Sequence, residues 1–258
     1  MYRDHTIAVV IPAFNESKLL PKTIGGLPDF LDQVIIVDDG SVDSTCEVAN
    51  QLCEPRLTIL KHRLNQGVGR AISTGYQYAL THRADLIVVM GADDQMCPSE
   101  ISSLLDPLID GRADYTKGNR LGAPHYGANM PWLRRNGTLL LSHLTRYATG
   151  LTDIIDSQCG FTAITRKSLS QLPIESLFAR YGYPNDLLSL LAVRNQRVLN
   201  IVVTPIYRTE TSGLKVHRVL IPIAGILLRA LFRRLKSRNK GTSNLSNTRS
   251  TKDPDLIA

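Results

Sequence analysis

Four short segments concentrate the side chains able to do chemistry: Pro12-Ala13-Phe14-Asn15-Glu16, Asp38-Asp39-Gly40-Ser41, Asn65-Gln66-Gly67-Val68-Gly69 and Gly91-Ala92-Asp93-Asp94-Gln95. Carboxylates grouped on a loop are hard oxygen ligands suited to Mg²⁺ or Mn²⁺, ions that complete their shell with phosphate and water. Asp93, with Asp94 and Gln95 beside it, has that character. Adjacent carboxylates at Asp38 and Asp39 cost stability unless hydrogen bonds reach them, so they mark either a turn or a ligand contact. Gly67 and Gly69 would let backbone approach a phosphate at a helix N-terminus. The Gly-x-Gly-x-x-Gly fingerprint of a dinucleotide site is absent, which argues against NAD. Each segment alone also reads as an ordinary turn or cap, and position has to decide.

The elements around these segments give them a position. Nearly continuous apolar runs at Ile7–Ile11, Val34–Val37, Leu57–Leu60 and Leu86–Met90 predict buried strands. Helical patterns at Lys18–Leu27, Asp43–Leu52, Gly67–Leu80 and Pro98–Ile109 separate and follow them. Strand–helix alternation predicts an α/β fold, a mostly parallel sheet with right-handed crossovers and helices on both faces. Ligands of such sheets bind outside the carboxyl ends of the strands, where all four segments lie. Further on, residues 131–150 read as a helix with Leu133, Leu140, Leu144 and Tyr147 on one face. A strand near Phe161–Thr165, a helix over Pro184–Asn195 and a β segment over Val198–Tyr207 follow.

Composition narrows the classes. The chain has 258 residues, 43% hydrophobic and 21% charged, which excludes wholesale disorder. Its four cysteines form no Cys-x-x-Cys pair and have no histidine at ligand spacing, so a zinc site is not expected. Eight basic residues and two acids from Arg229 onward account for six of the seven net positive charges. The body is nearly neutral, and high pI is therefore no argument for nucleic acid. No uncharged run reaches the 18 or so residues needed to span a bilayer. With no signal peptide in view, the expectation is a cytoplasmic protein.

In order and spacing the segments resemble family-2 glycosyltransferases of the GT-A fold, in particular the dolichyl-phosphate mannose synthase-like branch, across residues 6–216. The resemblance implies that Pro12, Ala13, Asn15 and Glu16 form a nucleotide-contacting loop and that Asp38 and Asp39 bind base and ribose. It implies that Asp93 and Gln95 are metal ligands and Lys117-Gly118-Asn119-Arg120 the strand whose arginine reaches the diphosphate. Asp156-Ser157-Gln158-Cys159-Gly160-Phe161 resembles the acceptor-side motif, which makes Asp156 the candidate general base or acceptor orienter, with Asp93 as its catalytic partner. Tyr207–Lys215 resembles a late basic loop over the phosphates; Arg208 and Lys215 in it, and Arg134 before it, are further candidate phosphate contacts. One departure stands out. Gly91 occupies the place of the first acid of the family's Asp-x-Asp, leaving Asp94 as a substitute carboxylate for the Mg²⁺ or Mn²⁺ that the resemblance implies.

The implied reaction is inverting transfer of a sugar from a nucleoside-diphosphate sugar to a lipid (polyprenyl) phosphate or another cell-envelope acceptor. The competing readings are a catalytically weakened relative that scaffolds a membrane complex, an enzyme with a soluble acceptor, and a nucleotidyltransferase. Nucleotidyltransferases usually show a basic glycine-rich loop after the first strand, and Pro12–Glu16 is acidic. The expected organisation is a catalytic domain at 1–216, an apolar then basic interface helix at 217–237 and a disordered basic tail at 238–258. The six basic residues of Arg229–Lys240 would attract the anionic cytoplasmic face of a membrane, with peripheral attachment as the result. Because the nucleotide loops lie far upstream, truncation after His217 is expected to leave nucleotide binding intact.

Overall fold

The computed structural model describes residues 1–122, 132–206 and 216–247; side chains at 133, 134, 216–220 and 237–247 fall outside the description. Seven strands, β1 (Ile7–Ala13), β2 (Gln33–Asp38), β3 (Leu57–Lys61), β4 (Leu86–Val89), β5 (Tyr115–Asn119), β6 (Thr162–Thr165) and β7 (Val198–Val202), form one sheet of order β3-β2-β1-β4-β6-β5-β7. All pairings are parallel except those of β6, which runs antiparallel to β4 and β5. The mixed α/β fold expected from the alternation is present.

The central strands β1, β2 and β4 read as nearly unbroken apolar runs because both faces are covered. Ile7, Val9 and Ile11 of β1 point into one core with Val34 and Ile36 of β2 and Leu86 and Val88 of β4. Ala8 and Val10 point into a second core with Ile35, Val37, Ile87 and Val89. Helices α1 (Leu20–Gly25), α2 (Thr45–Gln51) and α4 (Ile101–Ile109) contribute Leu20, Ile24, Ala49 and Leu104 to the first core. Helices α3 (Val68–Thr81), α6 (Arg166–Leu169) and α7 (Tyr183–Val193) contribute Ile72, Tyr76, Leu169 and Leu187 to the second. Burying such side chains contributes about 1.5–3 kcal/mol each, enough to hold the strand ends in fixed register.

Two helices break the usual amphipathic rule. Helix α5 (Trp132–Thr149) turns Thr138, Ser142, Thr145 and Thr149 inward, while Trp132, Leu140, Leu144 and Tyr147 face solvent. Helix α8 (Val216–Asn247) packs against α5 and α7 through Ile223, Ile226 and Ala230 and exposes Ile221, Leu228, Phe232 and Leu235. The apolar face read for residues 131–150 therefore exists but is the outer face. The boundary expected at residue 237 falls inside α8; the tail beyond residue 247 lies outside the described residues.

Candidate active site

The four segments meet at one rim of the sheet. Pro12, Ala13, Phe14, Asp39, Asn65, Gly67 and Val68 line a cavity of about 440 Å³, closed on the far side by Phe178, Arg180, Tyr181 and Pro222. A second cavity of about 300 Å³ holds Gly91, Asp93, Gln95, Arg120, Gln158 and Gly160. Pro12, Val68 and Tyr181 border both, so the two form one continuous cleft.

Asp39 organises the first cavity. Its Oδ1 accepts the Gln66 amide at 2.9 Å and lies 2.7 Å from His62 Nδ1, and its Oδ2 accepts the Gly67 amide at 2.7 Å. His62 Nε2 is in turn 3.0 Å from Thr74 Oγ1. A carboxylate thus fastens the Gln66–Gly67 turn that leads into α3, at the positive end of the helix dipole. The phosphate role read for Gly67 and Gly69 has a different physical basis here. Gly67 has φ +103°, and a Cβ on it would sit 2.5 Å from the Ala179 carbonyl oxygen. A Cβ on Gly69 would meet the Phe178 carbonyl oxygen at 2.0 Å. These glycines let the Phe178–Tyr181 segment close onto α3. Asp38 is fully buried below the cavity, its Oδ1 accepting the Ser41 amide at 2.9 Å. Asn15, at φ +58°, ties the first two loops together: its amide donates to Ser41 Oγ at 2.9 Å and its Oδ1 accepts from Val42 at 3.0 Å. The Glu16 amide donates to Thr45 Oγ1 at 2.8 Å, a further tie between the same loops.

The acidic loop divides its carboxylates. Asp93 faces the second cavity, where its Oδ1 accepts the Gln95 amide at 3.3 Å. Asp94, at φ +52°, turns to Lys22 of α1, 3.0 Å away. Among the described residues there is no cluster of three or more His, Cys, Asp or Glu side chains that would cage a metal unaided. One carboxylate and one amide oxygen beside a cavity nevertheless suit a small hard cation that shares its shell with a diphosphate and water. The donor set present fits Mg²⁺ or Mn²⁺ in that shared form.

Arg120 borders the second cavity, with Asp156 buried beneath it. Arg120 Nε donates to Asp156 Oδ2 at 2.7 Å and Nη2 to Oδ1 at 3.0 Å, a bidentate pair with Asp156 wholly buried. The amides of Gln158 and Cys159 donate to Oδ1 at 3.1 Å each. Burial alone pushes the Asp156 carboxyl up, but the Arg120 charge and hydrogen bonds, the Lys117 charge and the Gln158 amide outweigh it and hold it below the usual carboxylate range. Lys117 is itself fully buried, its Nζ donating to the Cys159 carbonyl at 2.5 Å, and burial brings its amine down to about 8.

Of the residues expected at the site, Pro12, Ala13, Asp39, Asp93, Gln95 and Arg120 line the cleft, and Asp156 sits beneath it on Arg120. Asn15, Glu16 and Asp38 support the loops, and Asp94 points away. Arg208, Lys215 and the Arg134 side chain lie outside the described residues. Missed altogether was the Phe178–Tyr181 wall, whose only signal is an aromatic and basic stretch, Phe178-Ala179-Arg180-Tyr181-Gly182-Tyr183, between two apolar segments. The C-terminal helix also reaches the site, because Pro222 of α8 borders the first cavity.

A cleft at the carboxyl rim, with a carboxylate-organised pocket beside an acidic loop and an arginine, defines a nucleotide-sugar-dependent transferase of the GT-A type. Residues 8–172 match the model of glycosyl transferase family 2, and the chain belongs to that family. It is similar to the UDP-N-acetylglucosamine–dolichyl-phosphate N-acetylglucosaminyltransferase of Methanococcus voltae, with 33% identity over 81% of this chain and 88% of that one. It is similar also to the polyprenol monophosphomannose synthase of Mycolicibacterium smegmatis, with 31% identity over 84% of each chain. In fold it is like glucosyl-3-phosphoglycerate synthase of Mycobacterium tuberculosis, solved with Mn²⁺, UDP and phosphoglyceric acid, at TM-score 0.66 and 19% identity over 90% of this chain and 78% of that one.

Proposed function

We propose that the chain transfers a sugar from a nucleoside-diphosphate sugar to a polyprenyl phosphate, with inversion, at the cytoplasmic surface of a membrane. The observation that carries this reading is the state of Asp156. A hydroxyl acceptor needs a base able to take its proton, and a carboxylate held ionised by a bidentate arginine and two amides is poorly suited to that. A phosphate monoester, with a second pKa of about 6, arrives already ionised and needs no base. The names of the two relatives from Methanococcus and Mycolicibacterium support the same acceptor class.

In this reading the nucleotide fills the larger cavity between Pro12–Phe14 and the Phe178–Tyr181 wall. Asp39 keeps α3 and the Asn65–Gly67 loop in place. Asp93 and Gln95 hold the divalent ion, which supplies charge neutralisation on the departing diphosphate. Arg120, oriented by Asp156, faces the cleft where that negative charge develops and adds a preorganised cation. Asp156 is the orienter rather than the base.

The outer faces of α5 and α8 support a membrane location. Their exposed Trp132, Leu140, Tyr147, Leu228 and Phe232 suit the interfacial region of a bilayer. No helix among the described residues is long and apolar enough to cross one. The electrostatic share is smaller than the basic block suggests. Arg229 and Arg233 pair with Asp186, whose single charge cancels one of the six cations, and Arg234 is tied down by the Tyr147 carbonyl at 2.5 Å.

The test is transfer itself: purified chain, Mn²⁺, radiolabelled UDP- and GDP-sugars, and vesicles carrying undecaprenyl phosphate. Expected is a lipid-linked sugar monophosphate and release of free nucleoside diphosphate. Transfer to a water-soluble acceptor with none to the lipid phosphate would overturn the acceptor assignment.

A further inference from the structure

We infer that Asp186 and Arg233 are a positioning pair that couples the seating of α8 to the shape of the donor pocket; the inference rests on reading the larger cavity as that pocket. Asp186 is wholly buried on α7. Its Oδ1 accepts from Arg233 Nη1 at 2.6 Å, and Arg229 Nη2 lies 3.4 Å from Oδ2. Arg233 also donates to Ser189 Oγ at 3.2 Å. The same Oδ2 accepts the backbone amide of Phe178 at 2.9 Å. One carboxylate therefore joins α8 to the first residue of the pocket wall.

The wall passes that connection to the nucleotide loops. The Phe178 and Ala179 carbonyl oxygens press on Gly69 and Gly67, and the Ala179 carbonyl accepts the Arg70 amide at 3.0 Å. Arg180 and Tyr181 line the cavity itself. At the end of the wall a Cβ on Gly182 would fall 2.5 Å from Ile226 Cδ1, so α8 is packed directly on the chain there. Without its arginines, Asp186 would be a buried carboxylate left with an amide donor, a state proteins relieve by rearranging toward water. Any such movement carries Phe178 with it. Donor affinity then depends on whether α8 is seated, and by reciprocity donor binding stabilises the seated helix by the same factor.

The experiment uses the full chain with Arg233→Met, Arg233→Lys and Arg229→Met, the last removing the longer of the two arginine contacts to Asp186. Arg233→Met is expected to weaken UDP binding and raise donor KM about tenfold, within the roughly 5–150-fold range of site-to-site coupling, while kcat stays within about twofold. Arg233→Lys recovers most of the affinity, and Arg229→Met gives a smaller loss. A merely structural helix would lower folded fraction, and hence apparent kcat, without moving KM. Amide exchange measured without nucleotide should quicken at residues 178–181 in Arg233→Met and stay unchanged at β1. Unchanged exchange at 178–181, or a fall in kcat alone, would overturn the coupling. Should Arg233→Met unfold at assay temperature, Arg229→Met is decisive by the same readouts. A wild-type chain that binds neither UDP nor GDP defeats the donor-pocket reading instead, and exchange at 178–181 still judges the pair.

Discussion

Replacing Asp156 by asparagine should be among the costliest isosteric changes in this protein. The carboxylate accepts Arg120 Nε and Nη2 and the amides of Gln158 and Cys159, and only 14% of the Arg120 side chain is exposed. In either orientation the new amide turns an NH₂ toward one of these donors, and the guanidinium loses its counter-charge. Breaking a buried pair from one side costs about 3–5 kcal/mol. For a chain of this size each kcal/mol lowers Tm by roughly 2–4 °C, so thermal unfolding at pH 7 should fall by roughly 6–20 °C. Sugar transfer, measured on the folded fraction, should drop at least about a hundredfold, because a loss of ~2.7 kcal/mol in transition-state stabilisation already gives that factor. The difference is pH-dependent with a definite sign. The folded-state pKa of Asp156 lies below the unfolded value of about 3.9, so its stabilisation is complete above that value and is lost as pH falls through the lower folded one. The gap between wild type and Asp156→Asn should therefore narrow as the pH is taken below about 4. A variant melting within a degree of wild type at pH 7, with transfer intact, would refute the role given to the pair.

Gly69→Ala places a Cβ 2.0 Å from the Phe178 carbonyl oxygen, which backbone cannot yield cheaply; calorimetry should find UDP affinity reduced at least about tenfold, beyond the 1–3 kcal/mol typical of overpacking strain at its lower end. Gly91→Asp meets only the tip of Asp93, at 2.9 Å, and the Met96 methyl, at 3.6 Å, so it should be accommodated and should tighten Mn²⁺ binding in the presence of UDP; unchanged affinity would remove Gly91 from the metal site. Lys117, with a folded-state pKa of about 8 against 10.5 unfolded, should make stability rise between those values by roughly 3 kcal/mol, since there the unfolded chain binds the extra proton. Denaturant titrations at pH 8 and pH 10 should show about 2 kcal/mol of that rise in wild type and none of it in Lys117→Met.

The first four strands were legible because a parallel sheet covered on both faces demands unbroken apolar runs, as at Val34–Val37 and Leu86–Val89. The rim loops were legible as chemistry because they follow those strands. What local pattern does not carry is direction. Periodicity places Leu140, Leu144 and Tyr147 on one side of α5 but is silent on whether that side meets the core or the solvent. Asp39 reads as a ligand contact and lines the cavity, but its partners, 23 to 28 residues onward, which also tie it to the turn before α3, leave no local signal. The basic residues of α8 read as a membrane lure, and a single buried acid on α7 claims two of them. The Phe178–Tyr181 wall has neither periodicity nor a motif, and only its packing against Gly67 and Gly69 reveals it.

The reversal of β6 has a consequence for how the protein could vary. In a parallel sheet only loops that leave a strand reach the carboxyl rim; a reversed strand delivers the loop that enters it. The chain can therefore depart from the rim at Arg120, make the long excursion that includes α5, and return to the same rim at Asp156, 36 residues later. Tethering a loop of that length costs about 3 kcal/mol in chain entropy, with only about 0.6 kcal/mol more for each doubling. The ion pair at its base fastens both ends irrespective of what lies between. The excursion is in effect a replaceable cassette: its length and outer face can change with little thermodynamic resistance while the nucleotide loops, carried by β1 to β4, stay as they are.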